Sequence, residues 1–117
     1  MSSVVRKKTY ISGKITGLED RMVRGHFNKA ETELVVHNGI DPDYIFNPYS
    51  LSVKFPGFGY EDFMRIDMAA LECCEQIYML DNWEDSPGAK RELEYAKKLG
   101  LDIMWESEEV EKRKQRR

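Results

Sequence analysis

Gln76-Ile77-Tyr78-Met79-Leu80, followed after a short polar loop by Ser86-Pro87-Gly88-Ala89-Lys90-Arg91-Glu92, reads as a buried strand feeding a helix that runs to Leu99. Free backbone N–H groups at a helix start attract anions. A serine and a glycine at that mouth, with a carboxylate one turn in, suit a phosphate beside a reacting centre. Glu92 falls on the same helical stripe as Ala89, Ala96 and Leu99, the face expected to pack on a sheet. An acid on that face is costly unless it serves a function.

The same unit recurs outward from this stretch. Lys8 to Ser12 reads as a first strand, and Gly13-Lys14-Ile15-Thr16-Gly17 as a glycine-bracketed turn. A helix is expected from about Leu18–Asp20 to His37, with Phe27, Ala30, Leu34 and Val35 as its apolar stripe and Asn38-Gly39 as its stop. Tyr44-Ile45-Phe46 is a second strand closed by Asn47-Pro48. Residues 49–59 read as a loop carrying Tyr49, Phe55 and Phe58. A second helix is expected from Tyr60 to about Cys74, then strand three (Ile77 to Leu80), a loop over 81–87, and a third helix from Gly88 to Leu99. Gly100 caps it, and Leu101 to Trp105 is strand four.

Strands alternating with helices imply an α/β fold: a flavodoxin-like or Rossmann-like three-layer α/β/α unit. Its parallel sheet of four or five strands is expected in the order 2-1-3-4. Ligands in such sheets sit beyond the carboxyl ends of the strands, where the strand order reverses, so the loops after strands one and three should flank one crevice. Residues 1–106 form the expected domain. The charged tail 107–117 reads as a frayed helix end or disorder.

At 117 residues, with 41% hydrophobic and 33% charged residues, the chain fits one soluble domain. Its net charge of −3 points to no particular partner, and a role in nucleic-acid binding is not expected. No run is long and apolar enough to span a bilayer. Met1 to Lys8 has basic residues without a following signal-peptide core, so a cytoplasmic location is expected. Cys73 and Cys74 are adjacent, a poor geometry for a structural disulfide. His26 and His37 fit a solvated helix, and no Cys/His cluster has metal-ligand spacing, so no metal is expected.

A second acid repeats the oddity of Glu92. Phe63, Met64, Met68, Leu71 and Cys74 set the buried stripe of the second helix, and Asp67 lies four residues after Phe63 and four before Leu71. Each acid alone fits an ordinary ion pair, with Arg65 or Arg91, as well as it fits a site. Two of them, on the helices either side of strand three, can converge at one end of the sheet. Paired carboxylates divide glycosyl chemistry between them: one attacks or stabilises the sugar carbon, the other manages the leaving group's proton. Partial burial raises a carboxyl pKa and helps one acid keep its proton. The turn at Gly13 to Gly17 is neither a Walker loop nor a G-x-G-x-x-G fingerprint. With Ser86 and Gly88 across the crevice, it completes a plausible phosphate cradle.

Tyr10-Ile11-Ser12-Gly13-Lys14-Ile15-Thr16-Gly17, Arg65-Ile66-Asp67 with Leu71, and Ser86 to Glu92 with Ala96 together resemble the nucleoside 2-deoxyribosyltransferase superfamily. The likeness runs from about Lys8 to Trp105 and is greatest to a small bacterial and phage branch; the 2′-deoxynucleoside 5′-phosphate N-hydrolases are a characterised neighbour. The resemblance implies that Glu92 is the nucleophile on the anomeric carbon, that the Tyr10 hydroxyl lies near it, and that Asp67 contacts the sugar or helps protonate the departing base. It implies that Ser86, where the transferases tend to carry an acid, binds a 5′-phosphate, with Gly13, Lys14, Ile15, Thr16 and Gly88 around it. Asn47, Phe58 and Trp83 are candidates for contacts to the base, and ordinary packing explains each of them as well. The chain is shorter than typical transferases, and its basic tail has no equivalent of the residue they borrow from a neighbouring subunit. The resemblance thus implies cleavage of a deoxynucleotide, with hydrolysis favoured over transfer of the deoxyribosyl group to another base, without a cofactor, in a homodimer or larger homo-oligomer. A nucleotide-binding module without turnover is the rival expectation.

Overall fold

The structure, a computed structural model, describes residues 4–115; Met1 to Ser3 of the amino-terminal segment and the last two residues of the tail lie outside the described residues. The elements are β1 (Thr9–Ser12), α1 (Asp20–Asn38), β2 (Ile45–Phe46), α2 (Tyr49–Lys54), α3 (Tyr60–Glu72), β3 (Gln76–Met79), α4 (Pro87–Leu99), β4 (Asp102–Trp105) and α5 (Glu106–Gln115), with 3₁₀ turns at Pro42–Tyr44 and Asp81–Asp85. Four strands form one sheet in the order β2-β1-β3-β4, and every pairing is parallel. Tyr10 lies beside Phe46 on one side and Ile77 on the other, and Ser12 lies beside Met79. The fold is a flavodoxin-like α/β unit, as the alternation of elements predicts. No helix among the described residues is long and apolar enough to cross a membrane.

Strand alternation divides the core in two. Ile11, Tyr78 and Leu80 face α1 and pack with Val23, Phe27, Ala30 and Leu34. Tyr10, Ile77 and Met79 face the other way and pack with Leu71 of α3 and Ala89, Leu93 and Ala96 of α4. Right-handed crossovers require this split: the step from β1 to β2 runs one way along the sheet, and the steps to β3 and β4 run the other. Burial of each large side chain such as Phe27 or Leu34 stabilises by about 1.5–3 kcal/mol. Gly39 and Gly100 end α1 and α4 with φ of 68° and 75°, the left-handed region that glycine enters without a Cβ clash.

Three expectations are corrected. Residues 49–54, read as loop, form the short helix α2. Asn47 Oδ1 accepts from the Tyr49 N–H at 3.1 Å and Ser52 Oγ donates to the Tyr49 carbonyl at 2.7 Å, so side chains close a helix too brief to show a period. The tail is helical to Gln115, with Glu106, Glu108 and Glu109 in its first turn and Lys112, Arg113 and Lys114 in its last, which complements the helix dipole. It is fastened to α1 by Arg113–Glu33 at 3.0 Å and by Asn38 donating to Glu109 at 3.2 Å. Finally, Leu99 is exposed; the buried stripe of α4 stops at Ala96, and Leu101 takes over the packing beyond the cap.

Candidate active site

A cavity of about 600 Å³ opens beyond the carboxyl ends of β1 and β3. Gly13, Ile15 and Thr16 of the turn after β1 form one wall, and Ser52 of α2 with its N-cap Pro48 another. Tyr60, Phe63 and Met64 of α3 bring an apolar side, while Asp67, Ser86, Gly88 and Glu92 bring polar groups. The location follows from topology: the loop after β1 leads to α1 on one face of the sheet, the loop after the adjacent β3 leads to α4 on the other, and the two diverge there.

Asp67 and Glu92 both line this cavity, and both are nearly buried, at 6% and 5% exposure. The Tyr10 hydroxyl donates to Glu92 Oε2 at 2.7 Å, and the Ser12 hydroxyl donates to Oε1 at 2.6 Å. Removal from water pushes Glu92 up to about 8, and the neighbouring Asp67 charge adds to this; the two hydroxyl donors pull the other way. Burial likewise raises Asp67. Tyr10 is held well above the usual phenol range by burial and by the two acids. The ordinary ion-pair explanation of these acids does not fit: Arg91 turns to Glu61 at 3.1 Å and lies 5.7 Å from the Tyr60 ring centre. Among the described residues, no salt bridge reaches Asp67 or Glu92. Burial without a cation therefore favours the protonated forms of this pair.

Ser86 is the N-cap of α4, and its Oγ accepts from the Ala89 N–H at 3.0 Å. The hydroxyl proton of Ser86 stays free to donate into the cavity. Gly88 lies against Tyr60 and Met64, where a Cβ would sit 3.5 Å from the Tyr60 hydroxyl and from the Met64 sulfur. At Gly13 a Cβ would come within 2.6 Å of Leu80, so only glycine fits between the two strand ends. Lys14 does not line the cavity; its backbone N–H donates to Asn82 Oδ1 at 3.0 Å. Among the described residues no lysine or arginine lines the cavity, so its anion-binding capacity lies in hydroxyls and backbone N–H groups.

Asn47, Trp83 and Phe58 lie outside the cavity. Asn47 is turned to α1 and the start of α2, with Nδ2 near Asn28 at 3.4 Å and Glu31 at 3.3 Å. Trp83 packs on Trp105, ring centres 5.5 Å apart. Phe58 is exposed at 45% and belongs to an aromatic row, 5.1 Å from Phe55 and 5.9 Å from Phe63, and Phe63 lines the cavity. Ser12 was not singled out by the sequence reading, although strand alternation carries the signal: it stands two residues after Tyr10 and so shares its face. Pro48 and Ser52 were missed along with α2.

An open four-stranded parallel sheet, with a cavity at its switch point and two buried acids that no cation meets, defines an α/β protein of the flavodoxin-like class. The chain belongs to the family described as Domain of unknown function (DUF4406), whose model matches residues 7–105. The match spans all four strands and ends where α5 begins. No curated protein matches the chain.

Proposed function

We propose that the protein, as a member of the nucleoside 2-deoxyribosyltransferase superfamily, hydrolyses the N-glycosidic bond of a 2′-deoxynucleoside 5′-monophosphate. The observation that carries this reading is the uncompensated pair Asp67–Glu92 in one cavity, with Glu92 held at both oxygens by hydroxyls. A pair of raised carboxyl groups keeps a proton near neutrality, and glycosyl transfer through a nucleophile needs one acid ionised and one protonated. The 5′-phosphate sits against Ser86, Gly88 and Thr16. The base lies toward Tyr60 and Phe63, whose faces suit a planar ring.

Glu92 attacks the anomeric carbon, and the bond to the base breaks with its electron pair going to the base nitrogen. Asp67 supplies the proton that the departing base takes up. Water then attacks the glycosyl ester, gives its proton to Asp67, and releases Glu92 as the carboxylate. A sugar lacking the 2′-hydroxyl reacts faster, because that group withdraws electrons from an oxocarbenium-like transition state. Phosphate binding remote from the bond positions the sugar over Glu92.

The test is incubation with the four common deoxynucleoside monophosphates and chromatography for free base. Wild-type protein releases base and Glu92→Ala does not, while both keep the same circular dichroism spectrum. Binding without release by the wild type would establish the rival reading, a nucleotide-binding module.

A further inference from the structure

We propose that Ser12 is a positioning residue for Glu92: its hydroxyl, paired with that of Tyr10, grips the carboxylate by both oxygens, fixes its plane and favours its ionised form. The role as a positioning residue for catalysis rests on the reading of Glu92 as nucleophile; the grip itself does not. Ser12 is fully buried, in a layer otherwise made of Tyr10, Leu71, Ile77, Met79, Ala89 and Leu93. Its only side-chain hydrogen bond among the described residues is the one to Glu92 Oε1, at 2.6 Å.

The two donors come from one strand, two residues apart, and reach different oxygens. A single donor would leave the carboxylate free to rotate about its last bond; one donor on each oxygen removes that freedom. Hydroxyl donation to a carboxylate is also charge-assisted, so it favours the anion over the acid. Asp67 lies beside Glu92 itself and the same Tyr10 hydroxyl, and both pull against the rise that burial causes. The Tyr10 hydroxyl, which also influences Asp67, is committed to Glu92. The other groups facing Glu92 are few: Tyr10 and Ser12 from β1 and Asp67 from α3, while its chain neighbour Arg91 is held by Glu61. Removal of the Ser12 hydroxyl therefore acts on Glu92 with little else to compensate. The two β1 donors thus offset part of the burial that favours the acid form of Glu92, and draw the carboxylate back toward the anion that attack on the sugar requires.

The first measurement needs no turnover. The side-chain carboxyl carbon of Glu92 is titrated by ¹³C NMR in wild type, Ser12→Ala and Ser12→Cys, with Glu92→Gln identifying the resonance. The midpoint moves up by about one pH unit in Ser12→Ala, with the weak thiol donor in between. An unchanged midpoint in both variants overturns the proposal. The second measurement is base release from deoxynucleoside monophosphates. In Ser12→Ala the acidic limb of kcat/KM shifts to higher pH and kcat drops about 10-fold, with KM changed less than twofold. Equal changes in KM and kcat with an unmoved limb would make Ser12 a packing residue and overturn its positioning role. Base release failing in the wild type while the titration midpoint still moves would sink the hydrolase reading and leave the grip on Glu92 standing.

Discussion

The two faces of the sheet bury their acids in opposite ways. On the α1/α5 face Glu33, 16% exposed at its side chain, is met by Arg113 at 3.0 Å and by Lys29 at 3.9 Å. On the α3/α4 face Asp67 and Glu92 are more deeply buried and have hydroxyls for company instead of cations. A buried acid kept for architecture is neutralised by its neighbours, because an unpaired charge in a low dielectric is costly. An acid pair left uncompensated destabilises the fold and keeps titrating within reach of neutral pH. That contrast, more than either residue alone, marks the α3/α4 face as the candidate site.

Four variants can break or sharpen the contrast. The largest effect is expected for Asp67→Asn, which removes the proton donor and lowers kcat for base release about 10²–10⁴-fold with KM little changed; a loss below about tenfold would leave Asp67 only a sugar contact. Next is Glu92→Gln. Glu92 is raised from 4.5 to about 8, so the folded state prefers its acid form: the stability this gives is complete below about pH 4.5 and is lost as pH rises toward 8. Urea unfolding across that window should show Glu92→Gln gaining on wild type with rising pH, by an amount on the order of 2–4 kcal/mol, and levelling off above it. A pH-independent difference would refute uncompensated burial.

On the opposite face the sign reverses. Arg113→Ala strands Glu33 and loosens α5, and should cost about 1–2 kcal/mol in thermal or urea unfolding without changing base release. A stabilised Arg113→Ala would erase the distinction between the faces. The smallest effect is that of Ser86→Ala, which loses a helix cap, about 1 kcal/mol. Its KM for a deoxynucleoside monophosphate should also rise more than that for the plain deoxynucleoside. Equal rises would reduce Ser86 to a cap.

Much of this is legible in the sequence alone. The strands announce themselves as short apolar or β-branched runs bounded by Gly, Asn-Pro or Asp, and the alternation with helices implies parallel pairing, with the order 2-1-3-4 expected of a flavodoxin-like sheet. Asp67 and Glu92 stand out because helical periodicity places both on stripes that have to be covered. What was not legible has physical causes too. Tyr49–Lys54 is under two turns long, and its stability comes from side-chain hydrogen bonds that no period reveals. Helix α5 has one apolar residue, Val110, so its attachment through charges to α1 leaves no hydrophobic trace. Trp83 and Asn47 looked as available for a ligand as any loop residue until Trp105 and α1 were found to occupy them.

The amino-acid sequence by itself determined the layers, the parallel pairing and the facing of each acid, because these depend on local periodicity and on the handedness of the chain. Only the tertiary structure decided which remote groups meet: the hydroxyls of β1 on Glu92, Asp67 from α3 beside it, and Arg91 drawn away to Glu61. A periodic pattern reports the side of an element that is covered. It carries no information on how far along the covering element a given atom comes to rest, and a reactive pair is made or lost over a few ångströms of that distance.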